Sequence, residues 1–302
     1  MAGSSGASTV FGFALDSPFP LRTARHGPGD AIEVRVDGDL IPEGGETVMR
    51  WTAGAGNPLE ATLLSEPAGG YVLDIADSGR YLIRPGEGLI CVPPDTPPIR
   101  REVRLLGLPL LLCFLERGDL SLHAAAVETP AGAVLIAAPG RHGKTSLAAT
   151  FTKLGHRLLT EDLCCIRPSD PPALVPGPAT LRIRPDMADI LPVPDMEGIG
   201  NLDERMVLAS TSPGTCDPVP VAGVLLLKDF GSELSIDRVD GASALPDLWL
   251  LSLHLPTEAD RVRKFGQLVD LVARVPTWDV VLPDRVDSLP DTAVSLREVV
   301  VG

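Results

Sequence analysis

The chain has 302 residues, enough for one large domain or two of ordinary size, and its 44% hydrophobic and 22% charged residues give a globular rather than a disordered balance. A formal net charge of −14 repels polyanions at long range, which excludes non-specific nucleic-acid binding but leaves room for a local basic pocket around one nucleotide. No apolar run approaches the roughly 20 residues of a membrane span, and the opening MAGSSGASTVFGF lacks the basic flank and apolar stretch of a signal peptide, so the expectation is a cytoplasmic protein with no membrane partner.

The first 118 residues read as short strands between turns: Ile32 to Ile41 alternates apolar and polar positions, and Tyr71 to Ala76, Tyr81 to Arg84 and Gly88 to Val92 follow between Pro, Gly and Asp clusters. This spacing predicts a small β-rich N-terminal domain over residues 1–118. At its end Val103 to Gly118 is too long an apolar stretch for a strand, and with Pro109 inside it is expected as one buried helix with an irregular start.

Residues 119–302 change character to longer apolar strands and helical periodicity, an α/β (α+β) pattern. Leu122 to Val127 and Ala133 to Ala138 are expected as a hairpin, and a helix follows with Leu147, Phe151 and Leu154 on one face and Gly155 as its C-terminal cap. His156 to Ile166 is expected as one strand, Ser169 to Pro178 as a loop, Thr180 to Arg184 as a strand, and a short helix lies near Ala188. Leu191 to Leu202 lacks periodicity and is expected as a mobile lid; Val221 to Leu227 is a buried strand and Arg261 to Val275 the strongest helix. Cys91, Cys113, Cys164, Cys165 and Cys216 are an odd set without C-x-x-C spacing, which argues against a structural zinc site, and the adjacent Cys164 and Cys165 are expected as buried free thiols in a strand.

The stretch that carries chemistry is AVLIAAPGRHGKTSLAATF, Ala133 to Phe151. Apolar strand, Gly-rich bend, Gly-Lys-Thr and amphipathic helix are what a phosphate-binding loop requires: main-chain N–H groups curled round oxygens, a helix N-terminus behind them, a lysine, and a hydroxyl for magnesium. Gly140, Arg141, His142, Gly143, Lys144, Thr145 and Ser146 are the residues expected to hold the phosphates. Ala138 stands where the usual pattern has its first glycine, ahead of the donors, and is acceptable unless it needs a left-handed φ. Taken alone, the same text is a Gly-rich turn that happens to spell GKT. Glu161-Asp162 is the nearest acidic pair, which alone reads as a solvated turn, and a lone histidine in an apolar strand, His123, reads as a core residue.

Together, His123 before the loop and Gly155, His156, Leu158, Glu161 and Asp162 after its helix resemble the HPr kinase/phosphorylase family, whose G-H-x-L-x-x-D-D pattern follows the loop. The continuation PGPATLRIRPD, the basic segment DERMVL and the closing VPTWDVVLPD are similar to the stand-alone HPr-kinase-like enzymes of lasso-peptide gene clusters. The resemblance covers Leu120 to the C-terminus. It implies a PEP-carboxykinase-like P-loop kinase domain and ATP-dependent, Mg²⁺-assisted phosphoryl transfer to a hydroxyl, in the lasso branch a serine of a ribosomally made precursor peptide. Carried over, Asp162 is the general base, Glu161, Asp162 and Thr145 place Mg²⁺, Lys144 reaches the β- and γ-phosphates, and His123 is an active-site contact. Of the basic residues Arg182, Arg184 and Arg205, Arg205 is singled out to clamp the triphosphate or the acceptor. The sequence departs from the family at Ala138, at Glu161 in place of aspartate, and at MEGIGNLD, which lacks the signature arginine; this last argues against HPr itself as substrate. A small-molecule kinase and an inactive nucleotide-binding regulator are the alternatives. The family's hexamers leave a homo-oligomer open, and the β-rich domain offers strand edges to an extended peptide.

Overall fold

The computed structural model describes residues 7–52, 59–191 and 193–301; the opening MAGSSG of the signal-peptide reading and Pro192 of the expected lid lie outside them. It is a mixed α/β structure with three sheets. Strands β1 (Ser8–Val10), β2 (Phe13–Asp16), β3 (Arg25–His26), β4 (Asp30–Val36), β5 (Thr47–Trp51), β6 (Ala61–Glu66), β7 (Gly70–Ile75), β8 (Gly79–Arg84) and β9 (Leu89–Val92) form the first sheet, in the order β3-β1-β2-β4-β9-β8-β7-β6-β5. In β4 Ile32 and Val34 point inward between the exposed Ala31, Glu33 and Arg35, the period-2 pattern of a strand covered on one face.

The apolar stretch from Val103 to Gly118 is two helices, α1 (Pro98–Leu105) and α2 (Leu108–Arg117), not one. Gly107 between them sits at φ −92°, ψ −115°, which no helix continues through, and Pro109 falls in the first turn of α2, where its missing N–H is harmless. Leu110 to Leu115 are almost wholly buried against the first sheet, in a core that runs on to Cys165, Val175 and Leu255.

The second sheet holds the phosphate-loop candidate. Its elements are β10 (Leu120–Leu122), β11 (Ala124–Thr129), β12 (Gly132–Ala137), α3 (Lys144–Lys153), β13 (Arg157–Thr160), β14 (Cys164–Arg167) and β15 (Ala173–Val175). After them come β16 (Thr180–Ile183), α4 (Pro185–Ala188), β17 (Met196–Leu202), β18 (Arg205–Ser210), β19 (Val219–Leu227) and β20 (Ser235–Val239), then α5 (Gly241–Leu250), α6 (Glu258–Arg274), β21 (Thr277–Val281) and α7 (Leu289–Val301). The order is β10-β14-β15-β19-β12-β11-β13, with β21 on the far half of β19 and β20 beyond it. β11 and β12 form the expected hairpin, and β12 runs parallel to β19 with Ile136 opposite Leu225. Alternation along β12 sends Ala133, Leu135 and Ala137 to a core with α5 and α6, and Val134 and Ile136 to a core with α3 and α7. The sheet is therefore covered on both faces, and β12 reads as continuous apolar text for that reason. Among the described residues no helix is long and apolar enough to cross a membrane.

Three sequence expectations are corrected here. His156 to Ile166 is not one strand: β13 pairs with β11 and β14 with β10, and the chain turns between them at Glu161-Asp162, with Asp162 at φ +73°. The Ser169–Pro178 loop contains the short strand β15, paired with β14 and β19. The expected lid contains β17, which pairs with β18, itself paired with β16, as the third sheet; its apparent lack of period follows from a strand whose residues are mostly exposed or half-buried, with a register shift between Gly198 and Gly200. All five cysteines are free and buried.

Candidate active site

β12 delivers the chain into the loop and α3 anchors its far end. Leu147 and Phe151 are almost fully buried, worth about 1.5–3 kcal/mol each, so the helix N-terminus is fixed relative to the sheet. Ala138 is fully buried in the core it shares with Leu147 and Ala148, and it is not among the left-handed residues; the glycine usual at that position is not needed here. The left-handed positions are Arg141 at φ +69° and Gly143 at φ +88°. A Cβ on Gly143 would also stand 3.0 Å from Leu282 Cδ1, which would have to give by a few tenths of an ångström, so the left-handed φ is the main reason for glycine there. Among the described residues no backbone carbonyl accepts from the N–H groups of Gly140, Arg141, His142 or Gly143. Those donors, with the unpaired N–H groups of the first turn of α3, make the loop an electropositive cradle.

Lys144 is folded into its own loop. Its Nζ donates to the carbonyls of Ala138 (2.7 Å) and Pro139 (3.0 Å) and meets His123 Nε2 at 3.0 Å, so all three ammonium donors are used. The other ring nitrogen of His123, Nδ1, lies 2.9 Å from the Asp162 carbonyl. A carbonyl only accepts, so Nδ1 carries the proton and Nε2 offers its lone pair to Lys144. Burial pulls the Lys144 ammonium below its ordinary range, and the nearby cations Arg205 and Arg182 pull it further, against the attraction of Asp162 and Glu161.

Glu161 and Asp162 form the opposite wall. Thr145 Oγ1 donates to Glu161 Oε1 at 2.6 Å. Arg182, from β16, reaches both carboxylates, with Nη2 2.5 Å from Asp162 Oδ2 and Nε 3.5 Å from Glu161 Oε2. Burial works to raise the Asp162 carboxyl, but the neighbouring Arg182, His123 and Lys144 outweigh it and hold it well below the usual carboxylate range. Asp162 Oδ1 remains 3.4 Å from His123 Nδ1, and its side chain is 45% exposed, so it is open to an incoming group.

The residues singled out in the sequence thus largely converge. Lys144, Thr145, His123, Glu161 and Asp162 are joined by direct contacts, and Arg205, at the start of β18, is close enough for its charge to be felt at Lys144. His142 turns aside: its Nδ1 meets the Gly140 carbonyl at 2.9 Å and its Nε2 lies 3.4 Å from Asp229. Ser146 enters as part of the α3 first turn, its carbonyl taken by Thr150. Arg184 pairs with Asp186 at the surface. The residue underrated in the sequence is Arg182, which clamps the acidic pair; only the strand pairing of β16 with β18 brings it there.

Among the described residues no group of three or more His, Cys, Asp or Glu side chains could hold a metal on its own. The Thr145 hydroxyl and Glu161 carboxylate nevertheless fit a magnesium ion bound with nucleotide, since Mg²⁺ at phosphate sites takes one or two protein oxygens and completes its shell with phosphate and water.

No family model matches the chain, and no curated protein matches it. Among solved structures, the Hpr(Ser) kinase/phosphatase from Coxiella burnetii matches over 59% of this chain and 96% of that one, at 12% identity and a TM-score of 0.30. Likeness at that level carries no argument, and the functional reading rests on the site.

Proposed function

We propose that this protein is an ATP-dependent kinase that transfers the γ-phosphoryl group to an alcohol hydroxyl. The observation that carries the reading is one imidazole joining two halves of a reaction: His123 touches Lys144, at the mouth of an amide cradle, through Nε2, and the Asp162 carbonyl through Nδ1. Lys144 and Arg205 have no carboxylate at ion-pair distance among the described residues. A cation without a carboxylate partner beside free N–H groups is an anion seat, and the lowered affinity of Lys144 for its proton, to which burial contributes most, is what a phosphate would relieve.

In this reading Lys144 swings from its loop carbonyls to the β- and γ-phosphates, and the amides of residues 141–145 hold the phosphate oxygens. Thr145 and Glu161 would hold a magnesium ion bound with the nucleotide, which would supply charge neutralisation at the phosphates. Arg182 fixes Asp162 so that Oδ1 faces the acceptor. Asp162 is ionised at neutral pH and is a weak base, which suits a loose transition state in which an oriented alcohol matters more than a strongly activated one. The resemblance of PGPATLRIRPD, DERMVL and VPTWDVVLPD to the lasso-peptide branch makes a peptide serine the first acceptor class to test.

Asp162→Asn separates a kinase from an inactive nucleotide-binding regulator. Calorimetry with Mg-ATP should show affinity kept within about threefold while turnover falls at least about 100-fold. Absence of nucleotide affinity in the unaltered protein would sink the proposal outright.

A further inference from the structure

The acidic corner also forms part of the wall of a cavity of about 170 Å³. Asp162 and Arg182 are in that wall; Ile75 from β7, Leu106 beside Gly107, and Leu108 and Leu111 from α2 supply much of the rest. The first sheet and the α1–α2 elbow therefore contribute a surface to the same site as the phosphate loop.

Size and charge limit what can enter. An apolar cavity of about 150 Å³ is known to accept benzene, so this one holds a group of about six to ten non-hydrogen atoms. The arginines in its wall are already committed: Arg182 to Asp162 and Glu161, and Arg104 to Asp77 at 2.5 Å and Asp203 at 2.8 Å. Both ring nitrogens of His123 are engaged, one by the Asp162 carbonyl and the other by Lys144. A carboxylate or phosphate in the cavity would find no free counter-charge and would meet Asp162 instead, at a desolvation cost nothing offsets. An uncharged apolar group meets leucine and isoleucine side chains, and its hydroxyl meets Asp162 Oδ1, the carboxylate oxygen not taken by Arg182.

We propose that this cavity seats the acceptor, which carries an uncharged aliphatic or aromatic group within a few bonds of the hydroxyl to be phosphorylated. The inference rests on the kinase reading and narrows it. In the step, the acceptor oxygen bonds to the γ-phosphorus of ATP, the bond from that phosphorus to the β,γ-bridging oxygen breaks, ADP leaves with its electron pair, and the hydroxyl proton passes to Asp162. Two sources supply this chemistry: a small apolar alcohol, or a serine whose sequence neighbour is apolar.

The test uses the full chain and reads equilibrium binding, so that it stands apart from whether transfer occurs. Ligand-observed NMR compares benzyl alcohol with 4-(hydroxymethyl)benzoate, and N-acetyl-Phe-Ser-amide with N-acetyl-Asp-Ser-amide. Leu108→Trp and Val103→Phe each place added bulk in the cavity from half-buried wall positions; two plugs on different helices guard against one misfolding, which circular dichroism detects. The expected result is an apolar member bound at least tenfold more tightly than its charged partner in at least one pair, a loss of at least tenfold in the plugged variants, and ATP affinity within about twofold of the unaltered protein. The pair that shows the preference identifies the source. Equal binding of apolar and charged members in both pairs, no binding of any probe, or binding indifferent to a folded plug variant overturns the proposal. Failure of ATP to bind overturns the kinase reading instead and is recorded separately by calorimetry.

Discussion

Replacing Arg182 by methionine keeps most of the side-chain volume and removes the clamp on the acidic pair. Two interactions go: the 2.5 Å contact with Asp162 and the 3.5 Å contact with Glu161. A charge-assisted hydrogen bond is worth about 1.5–3 kcal/mol, and stranding one partner of a buried pair costs about 3–5 kcal/mol. Glu161, at 4% exposure, is stranded in that sense although Thr145 still donates to it, whereas Asp162 at 45% exposure recovers much of its loss from water. The net expectation is a destabilisation of about 2–3 kcal/mol at pH 6, read from urea-unfolding midpoints by tryptophan fluorescence. The pH dependence gives the sharper test. Asp162 is held below its unfolded value of about 4, so the stability it contributes is present above that pH and is lost as pH falls through the folded value. With the clamp gone most of that contribution is gone, so the gap between the two proteins should hold from pH 6 to about pH 5 and narrow below it, being clearly smaller at pH 3. Equal midpoints at pH 6, or a gap unchanged at pH 3, would refute the assignment of Arg182 as the partner that keeps Asp162 ionised.

Further outcomes follow from the same geometry. Lys144→Met should weaken ATP binding about 10–100-fold by calorimetry, the value of one charge-assisted contact; unchanged affinity would remove Lys144 from the phosphate seat. Leu147→Ala should cost about 2–5 kcal/mol in denaturant unfolding, because a fully buried side chain that fixes α3 leaves a cavity, and a loss under 1 kcal/mol would mean that α3 is not anchored as described. Lys264 is fully buried, its Nζ donating to the Asp119 carbonyl, and burial pulls it down to about 8. Between that value and an unfolded value of about 10.4 the unfolded chain binds the extra proton, so stability relative to Lys264→Met should rise from pH 8 to pH 10; a flat difference counts against a buried amine.

Legibility in the sequence followed the range of the interactions. β12 and α3 could be read because an apolar run, a Gly-rich bend and a helical face lie within nineteen residues, Ala133 to Phe151. His123, Glu161 and Asp162 were recognisable from local text. Their mutual contacts were not, since they depend on β13 and β14 parting at a left-handed aspartate that no glycine or proline marks. Arg182 looked like one basic residue among three; the register that sets it opposite Val207 is a long-range fact. β15 is three residues long and flanked by prolines, and β17 buries little of its length, so neither leaves a periodic trace. The break at Gly107 was obscured by leucines on both sides, which suit a helix interior as well as its end.

The way Lys144 is stowed has a consequence for the sequence of events at the site. The Lys144 ammonium occupies the lone pair of His123 Nε2. Were a triphosphate to draw the lysine away, as the kinase proposal has it, that lone pair would be uncovered beside Asp162. On the kinase proposal, an acceptor that came first would meet a covered imidazole and one that came after the nucleotide an open one, which makes nucleotide-first binding the expected order.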